Sequence, residues 1–276
     1  ITNESAAVLS FFTGGSEMPV PAATPLPSPT PTPTPTPSPS PGAAIGLAPG
    51  ELTIVRSTVD LAPSNAEATG RSETLRSPAL PVELNGTSVS VNGAAAGLIF
   101  AGNSPQQVNF VMPVGLAPGV GKVAVNVFNA GANTDTILRG LVPIVAAQPD
   151  IFALPGNRAM AFNITNPGAR MMEPFTVTSS DSGGNSVATI LELSVTGIRS
   201  AIPSEITVRV GTVDISGAEI LFVAPNPEAP GFDIVTFRLP ASLAGAGDVP
   251  VIVTFTRTGF VASSRPADTA PKIRIN

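Results

Sequence analysis

Residues 108–131 read VNFVMPVGLAPGVGKVAVNVFNAG, and their pattern is the basis of the fold prediction for the whole chain. Apolar residues alternate with polar or smaller ones on both sides of a Pro/Gly-rich centre. The alternating residues are Val108, Phe110 and Met112 before the centre and Val123, Val125 and Val127 after it. A period of two is typical of a strand with one buried face. The stretch therefore predicts two half-buried antiparallel strands joined by a turn.

A second copy of this pattern lies near the C-terminus. Residues 234–259, IVTFRLPASLAGAGDVPVIVTFTRTG, correspond to residues 108–131, and the hairpin-like residues 206–224 correspond to residues 88–102. Repetition at a period of about 127 residues indicates two copies of one domain type, with the seam near residues 147–149. Turn residues recur at the spacing of short sandwich strands. We therefore predict an all-β chain with two tandem immunoglobulin-like β-sandwich domains, residues 43–148 and 149–276.

The N-terminal part has a different composition. Residues 19–42 contain no charged residue, and a proline occupies every second position from Pro25 to Pro41. Each proline fixes its own φ and biases the preceding residue towards an extended ψ. At about 3.1 Å per residue, a polyproline II segment of this length spans roughly 50 Å. We predict a stiff linker over residues 19–42 that follows a short extension, residues 1–18.

Four further stretches carry a resemblance to a known family. They are residues 47–63 (LAPGELTIVRSTVDLAP), 80–113 (LPVELNGTSVSVNGAAAGLIFAGNSPQQVNFVMP), 142–153 (VPIVAAQPDIFA) and 229–255 (APGFDIVTFRLPASLAGAGDVPVIVTF). In this order they resemble the uncharacterised C-terminal β-module of secreted Acidobacteria proteins of the Solibacter type. The resemblance implies an exported, immunoglobulin-like double module of unknown activity.

The composition argues against several classes of function. The chain has no His, Cys, Trp or Tyr, which removes the usual neutral-pH base, thiolates and the aromatic platforms of sugar sites. Only Lys122 and Lys272 could serve a Ser-Lys pair, and the residues around Asp181 lack the spaced ligands of a calcium loop. We therefore expect no enzyme activity, no catalytic residues, no cofactor and no metal. The net charge of -5 and the absence of a basic stripe predict no nucleic-acid partner.

The predicted location is extracellular or at the cell surface. No run of 18 or more apolar residues is present, so we expect no membrane span. The chain begins at Ile1, as it would after removal of a signal peptide. Tracts rich in Ser, Thr and Pro are typical of O-glycosylated stalks on exported proteins. The candidate O-glycosylation sites are Thr30, Thr32, Thr34 and Thr36.

The extension contains the apolar segment SAAVLSFF, residues 5–12. A strand here is apolar on both faces, so it requires cover from a sheet that it cannot form alone. The candidate donor-strand residues are Ala7, Val8, Leu9, Phe11 and Phe12.

Two acceptors are open: the chain's own sandwich or that of the next copy. A stiff linker favours the next copy, which predicts a structural subunit that polymerises head to tail into a pilus-like filament, with itself as partner. The alternative is a monomeric cell-surface binding module or adhesin whose N-terminal stalk is disordered.

Overall fold

The computed structural model describes residues 46–68, 80–131 and 133–276, together with the backbone of residues 2–4 and 10–13. Within these residues the chain is built from β-strands and three single 3₁₀ turns, with no α-helix. The predicted all-β class and its sandwich domains are confirmed. None of the described helical segments is long and apolar enough to cross a membrane.

We use domain 1 for the unit built from the first eleven strands. Its strands are β1 (Thr2–Glu4), β2 (Ser10–Thr13), β3 (Leu52–Arg56), β4 (Ala66–Glu67), β5 (Glu83–Leu84), β6 (Thr87–Val91), β7 (Ala94–Ala95), β8 (Gly97–Asn103), β9 (Gln106–Val111), β10 (Gly119–Asn129) and β11 (Thr134–Ile144).

Two sheets form domain 1. Sheet 1 has the order β1-β11-β10-β6-β5, with β7 paired to β6, and sheet 2 has the order β2-β3-β9-β8-β4. The alternating residues of the sequence pattern are all buried between them. Sheet 2 contributes Val55, Val108 and Phe110, while sheet 1 contributes Val125 and Leu138. The Asn92-Gly93 turn has φ values of 51° and 81°, the left-handed pair that a tight hairpin requires.

Domain 2 is the unit built from the remaining strands. They are β12 (Asp150–Ile151), β13 (Ala153–Leu154), β14 (Arg158–Ala159), β15 (Ala161–Asn163), β16 (Thr178–Ser180), β17 (Ser186–Ala188), β18 (Ile190–Thr196), β19 (Ile206–Val210), β20 (Val213–Ile215), β21 (Ile220–Pro225), β22 (Asp233–Arg238), β23 (Gly247–Arg257), β24 (Phe260–Ser263) and β25 (Lys272–Ile275). The 3₁₀ turns are Pro203–Glu205, Gly217–Glu219 and Ala241–Leu243.

Domain 2 also contains two facing sheets. Sheet 3 has the order β12-β18-β22-β21, with β15 paired to β18, and sheet 4 has the order β13-β14-β25-β23-β19-β20, with β24 paired to β23. Strands β16 and β17 form a separate hairpin. The core includes Val235 and Phe237 of sheet 3 and Val253 and Phe255 of sheet 4. This core draws on residues 147–275, whereas that of domain 1 draws on residues 47–144.

The sequence repeat corresponds to a repeat in topology. Strand β9 lies between β3 and β8, as β22 lies between β18 and β21, and the next strands, β10 and β23, belong to the opposite sheets. In both copies the Pro/Gly-rich centre therefore carries the chain from one sheet to the other. Equivalent strands have equivalent neighbours, so β3 corresponds to β18.

Candidate interaction site

The first part of the site is the pair of sheet edges that the N-terminal segment covers. Strand β2 pairs antiparallel with β3, so that Thr13 lies opposite Thr53 and Ser10 opposite Arg56. Strand β1 pairs parallel with β11 over residues 135–137. One short segment thus contributes to both sheets of domain 1. Without it, β3 and the first part of β11 would present unpaired main-chain groups, which other strands readily bind.

Domain 2 covers its equivalent edge with strands that directly precede the rest of the domain. Strand β15 pairs antiparallel with β18, and β14, just before it, pairs parallel with β25 in the opposite sheet. The successive strands β1 and β2 repeat this arrangement in domain 1. The difference lies in the connection to the next core strand, because in domain 1 residues 14–51, which include the proline stretch, separate β2 from β3.

The structure describes part of the predicted donor strand. Phe11 lies opposite Val55, which is fully buried, and Phe12 lies opposite Ile54, which is half-buried. The described backbone of residues 10–13 therefore runs along the β3 edge from Thr53 to Arg56. The acceptor strand here belongs to the same chain. Exchange with a neighbouring copy is not tested by one chain and stays a prediction.

The other sequence-predicted residues lie outside the described part of the chain. They are Ala7, Val8 and Leu9 of the donor segment and the candidate O-glycosylation sites Thr30, Thr32, Thr34 and Thr36.

The second part of the site begins where β3 begins and joins the two domains. The Leu52 N–H of domain 1 donates a hydrogen bond of 2.9 Å to Oγ1 of Thr196 in domain 2. The same hydroxyl donates to the Gly231 carbonyl at 2.7 Å. A side chain on Gly231 would press on Leu52 and Val111, and φ at this residue is 84°. Glycine therefore allows a close approach between the domains.

Ion pairs hold the domain 2 face of this junction. Nε of Arg199 lies 3.1 Å from Oδ1 of Asp233, a fully buried carboxylate that also accepts the Ile198 N–H. The guanidinium of Arg265 donates to both oxygens of Asp150 at 3.2 Å. The Phe232 ring, next to Asp233 in the sequence, stacks on Phe152 with centroids 3.7 Å apart. Burial raises the pKa of Asp233 to about 6, although Arg199 opposes this shift.

Glu51 is the buried carboxyl on the domain 1 side. Its Oε2 accepts the Ala48 N–H at 2.6 Å, while Oε1 has no hydrogen-bond partner among the described residues. Burial raises the pKa of Glu51 well above its usual range. The Ala48 hydrogen bond opposes this shift, and the nearby charges of Asp150 and Asp233 add to it.

An open groove of about 670 Å³ lies beside the junction. Domain 1 lines it with Val82, Val111 and Val114, and domain 2 with Arg199 and Pro227. Its walls are largely aliphatic.

The residues considered for chemistry are dispersed. Lys122 and Lys272 are both exposed, on β10 and β25. Oδ1 of Asp181 accepts the N–H groups of Gly183 and Asn185 at 2.8 Å, which closes a surface turn. The Asn185 hydrogen bonds lower the pKa of Asp181. Within the three fully described ranges, no group of three or more acidic side chains could hold a metal ion.

Sequence reasoning did not identify the junction. Glu51, Asp150 and Asp233 lie far apart in the chain, and each is an ordinary acidic residue by itself. The sequence did contain one signal for these residues. At the start of a strand, Glu51 directly follows Gly50, and Asp233 follows Gly231 by two positions.

Comparison with known proteins does not assign the chain to a family. No family model matches it, and no curated protein matches it. Among solved structures, one match is the Plexin A4 full extracellular region, domains 1 to 8, at 12% identity and a TM-score of 0.21. The match covers 81% of this chain and only 17% of the plexin chain. The plexin match has too low a TM-score to support any inference.

Proposed function

We propose that the chain is an extracellular structural subunit that joins neighbouring copies by exchanging its N-terminal strands. In this proposal β1 and β2 of one copy cover the β3 and β11 edges of domain 1 in the next copy. Repetition of the same contact from copy to copy produces a filament. The contact is strand addition, in which main-chain hydrogen bonds provide affinity and the side chains set the register.

The observation that carries the proposal is that an N-terminal strand, distant in the sequence, completes sheet 2 of domain 1. Its β3 edge pairs with a strand that a long proline-rich segment separates from β3. The equivalent β18 edge pairs with β12 and β15, which precede β18 within domain 2 without such a segment. A strand that belongs to the fold but is connected through such a segment is suited to exchange.

The expected stiffness of the linker favours exchange over return to the same domain. As polyproline II, Pro25–Pro41 would span roughly 50 Å. The remaining steps between Thr13 and Gly46 reach at most about 60 Å when fully extended. Return to the same domain would therefore require the flanks to fold back along the rod, at a cost in conformational entropy. Donation to a neighbour removes this requirement.

The extracellular location rests on composition. The Ser/Thr/Pro tract is typical of exported stalks, and the candidate sites Thr30 to Thr36 would carry the sugars. A joint made by strand addition needs no disulfide, which agrees with a chain that has no cysteine.

One observation favours the alternative, a monomeric cell-surface binding module. In the structure β2 pairs with β3 of its own chain, so domain 1 is complete without a second copy. The groove between the domains would then be the surface available to a ligand.

A disulfide between β2 and β3 distinguishes the two. We would introduce Thr13→Cys and Thr53→Cys, whose Cα atoms as directly opposed residues lie within disulfide range. Threonine and cysteine are similar in size, and Oγ1 of Thr53 has no hydrogen-bond partner among the described residues. Under the proposal, oxidation of concentrated protein produces a ladder of covalent multimers on a non-reducing gel.

The matched control pairs Thr13→Cys with Thr207→Cys, a half-buried position on β19 of domain 2. This pair should form few cross-links at any concentration. If Thr13→Cys/Thr53→Cys oxidises to a monomeric band even in concentrated protein, and electron micrographs show isolated particles, the filament proposal is wrong and the monomeric module stands.

A further inference from the structure

We propose that the contact around Glu51 is a pH-dependent latch, which holds the two domains together while Glu51 is protonated and loosens when Glu51 ionises. This inference does not depend on strand exchange. It applies equally to a filament subunit and to a monomeric module.

The geometry places Glu51 inside the contact between the domains. The residue has no exposed surface, and both of its neighbours in the sequence touch domain 2. Leu52 donates its N–H to Thr196, and Gly50 packs directly against the side chain of Arg199. Asp150 and Asp233 of domain 2 are also close enough to act on its charge, so the buried carboxyl group lies at this contact.

The hydrogen bonds of Glu51 fit a neutral carboxyl group better than a carboxylate. A buried carboxylate requires donors or a cation at both oxygens, because the loss of water is otherwise very costly. Oε2 has one donor, the Ala48 N–H, and Oε1 has none among the described residues. No ion pair involving Glu51 occurs in the described ranges.

The charged groups of domain 2 that face Glu51 are already paired. Asp150 on β12 is held by Arg265, and Asp233 on β22 is held by Arg199. Both acidic groups raise the pKa of Glu51. The two arginines are thus engaged by other carboxylates, and an ionised Glu51 would add a third negative charge to this face.

The sign of the pH dependence follows from the raised pKa. Below the ordinary value of 4.5, Glu51 is protonated in both the closed and the open junction, and the closed form has its full stability. As the pH rises, Glu51 ionises first in the open form, where it is hydrated. The equilibrium between the two forms therefore shifts towards the open junction. The change continues until the pH passes the pKa of the closed form. Asp233, whose pKa burial raises to about 6, contributes in the same direction.

Hydrogen exchange at the Leu52 amide tests the latch in the intact chain. This N–H bonds to Thr196 across the junction, whereas the Leu239 N–H bonds to Thr189 within domain 2 and serves as the reference. After correction for the intrinsic pH dependence of exchange, we expect the protection of Leu52 to fall by up to about tenfold per pH unit above pH 4.5. The protection of Leu239 should not change.

Glu51→Gln keeps the shape of the side chain and removes the titration of Glu51, so the protection of Leu52 should fall less steeply with pH than in the wild type. The control is Glu67→Gln, at an exposed position on β4, which should keep the wild-type profile. A flat Leu52 profile in the wild type overturns the proposal. So does a Glu51→Gln profile that falls as steeply as the wild type.

A direct measurement covers the case in which Glu51→Gln fails to fold. The side-chain carboxyl carbon of Glu51 can be followed by NMR as the wild-type protein is titrated. The proposal expects the signal of a neutral acid well above pH 4.5. Ionisation of Glu51 near pH 4.5, as in a free side chain, would contradict it.

Discussion

Phe255 lies at the centre of domain 2, where the second copy of the strand pattern faces the opposite sheet. It is fully buried, and its ring meets the Phe260 ring edge-on at a centroid distance of 6.1 Å. We expect Phe255→Ala to lower the free energy of unfolding by about 3–5 kcal/mol, because the lost apolar contact leaves a cavity. Chemical denaturation measures this loss. Phe222→Ala, at a ring that is 52% exposed, should change stability by less than about 0.5 kcal/mol.

Gly197 directly follows β18 and lies against Gln148, in the segment that links the two domains. It has φ of 76°, and a Cβ at this position would overlap the carbonyl oxygen of Gln148. That oxygen belongs to the main chain and cannot move aside easily. Gly197→Ala should therefore lower the free energy of unfolding by more than the roughly 1–2 kcal/mol of a left-handed alanine alone.

Gly93 provides the comparison for Gly197. It has φ of 81° but open space where a Cβ would project. Gly93→Ala should therefore cost only the conformational term. If thermal unfolding shows equal losses for the two variants, the close approach to Gln148 has no energetic importance.

At the scale of elements, the contribution of β1 and β2 to domain 1 can be tested by deleting them and then adding them back as a peptide. Deletion of residues 1–13 leaves β3 and the start of β11 without partners. We expect faster hydrogen exchange along β3 and β11, while the β18–β22 ladder of domain 2 keeps its protection. A synthetic peptide of residues 1–13 should restore protection when added in excess. Failure of both effects would mean that these strands do not stabilise domain 1.

At the scale of the whole molecule, Thr196 connects the domains through one hydroxyl group. Thr196→Val removes the acceptor of the Leu52 N–H, and an unpaired buried N–H costs about 1–3 kcal/mol. We expect less cooperative unfolding of the two domains and a larger radius of gyration by X-ray scattering. Thr256→Val, at an exposed position on β23, should change neither property.

The core and the class of fold follow from local patterns in the sequence. Val108, Phe110, Val123 and Val125 alternate with polar or small residues, and all four are buried as the alternation predicts. The Asn92-Gly93 pair likewise specifies a turn by its own backbone preference. These features are predictable because a period of two and a left-handed turn depend only on neighbouring residues.

The candidate site depends on pairings that the sequence alone left open. The apolar segment ending at Phe12 indicated a strand in need of cover, but the sequence did not say which sheet edge it pairs with, and the register places Phe12 opposite Ile54 of β3. Glu51, Asp150 and Asp233 gave no joint signal, since nothing local brings residues so distant in the chain together. By itself the sequence determined the strands, the turns and the duplication, because each follows from a short-range pattern. Tertiary structure decided which edge is covered and which carboxyl is buried, because burial depends on what packs against a residue from elsewhere in the chain.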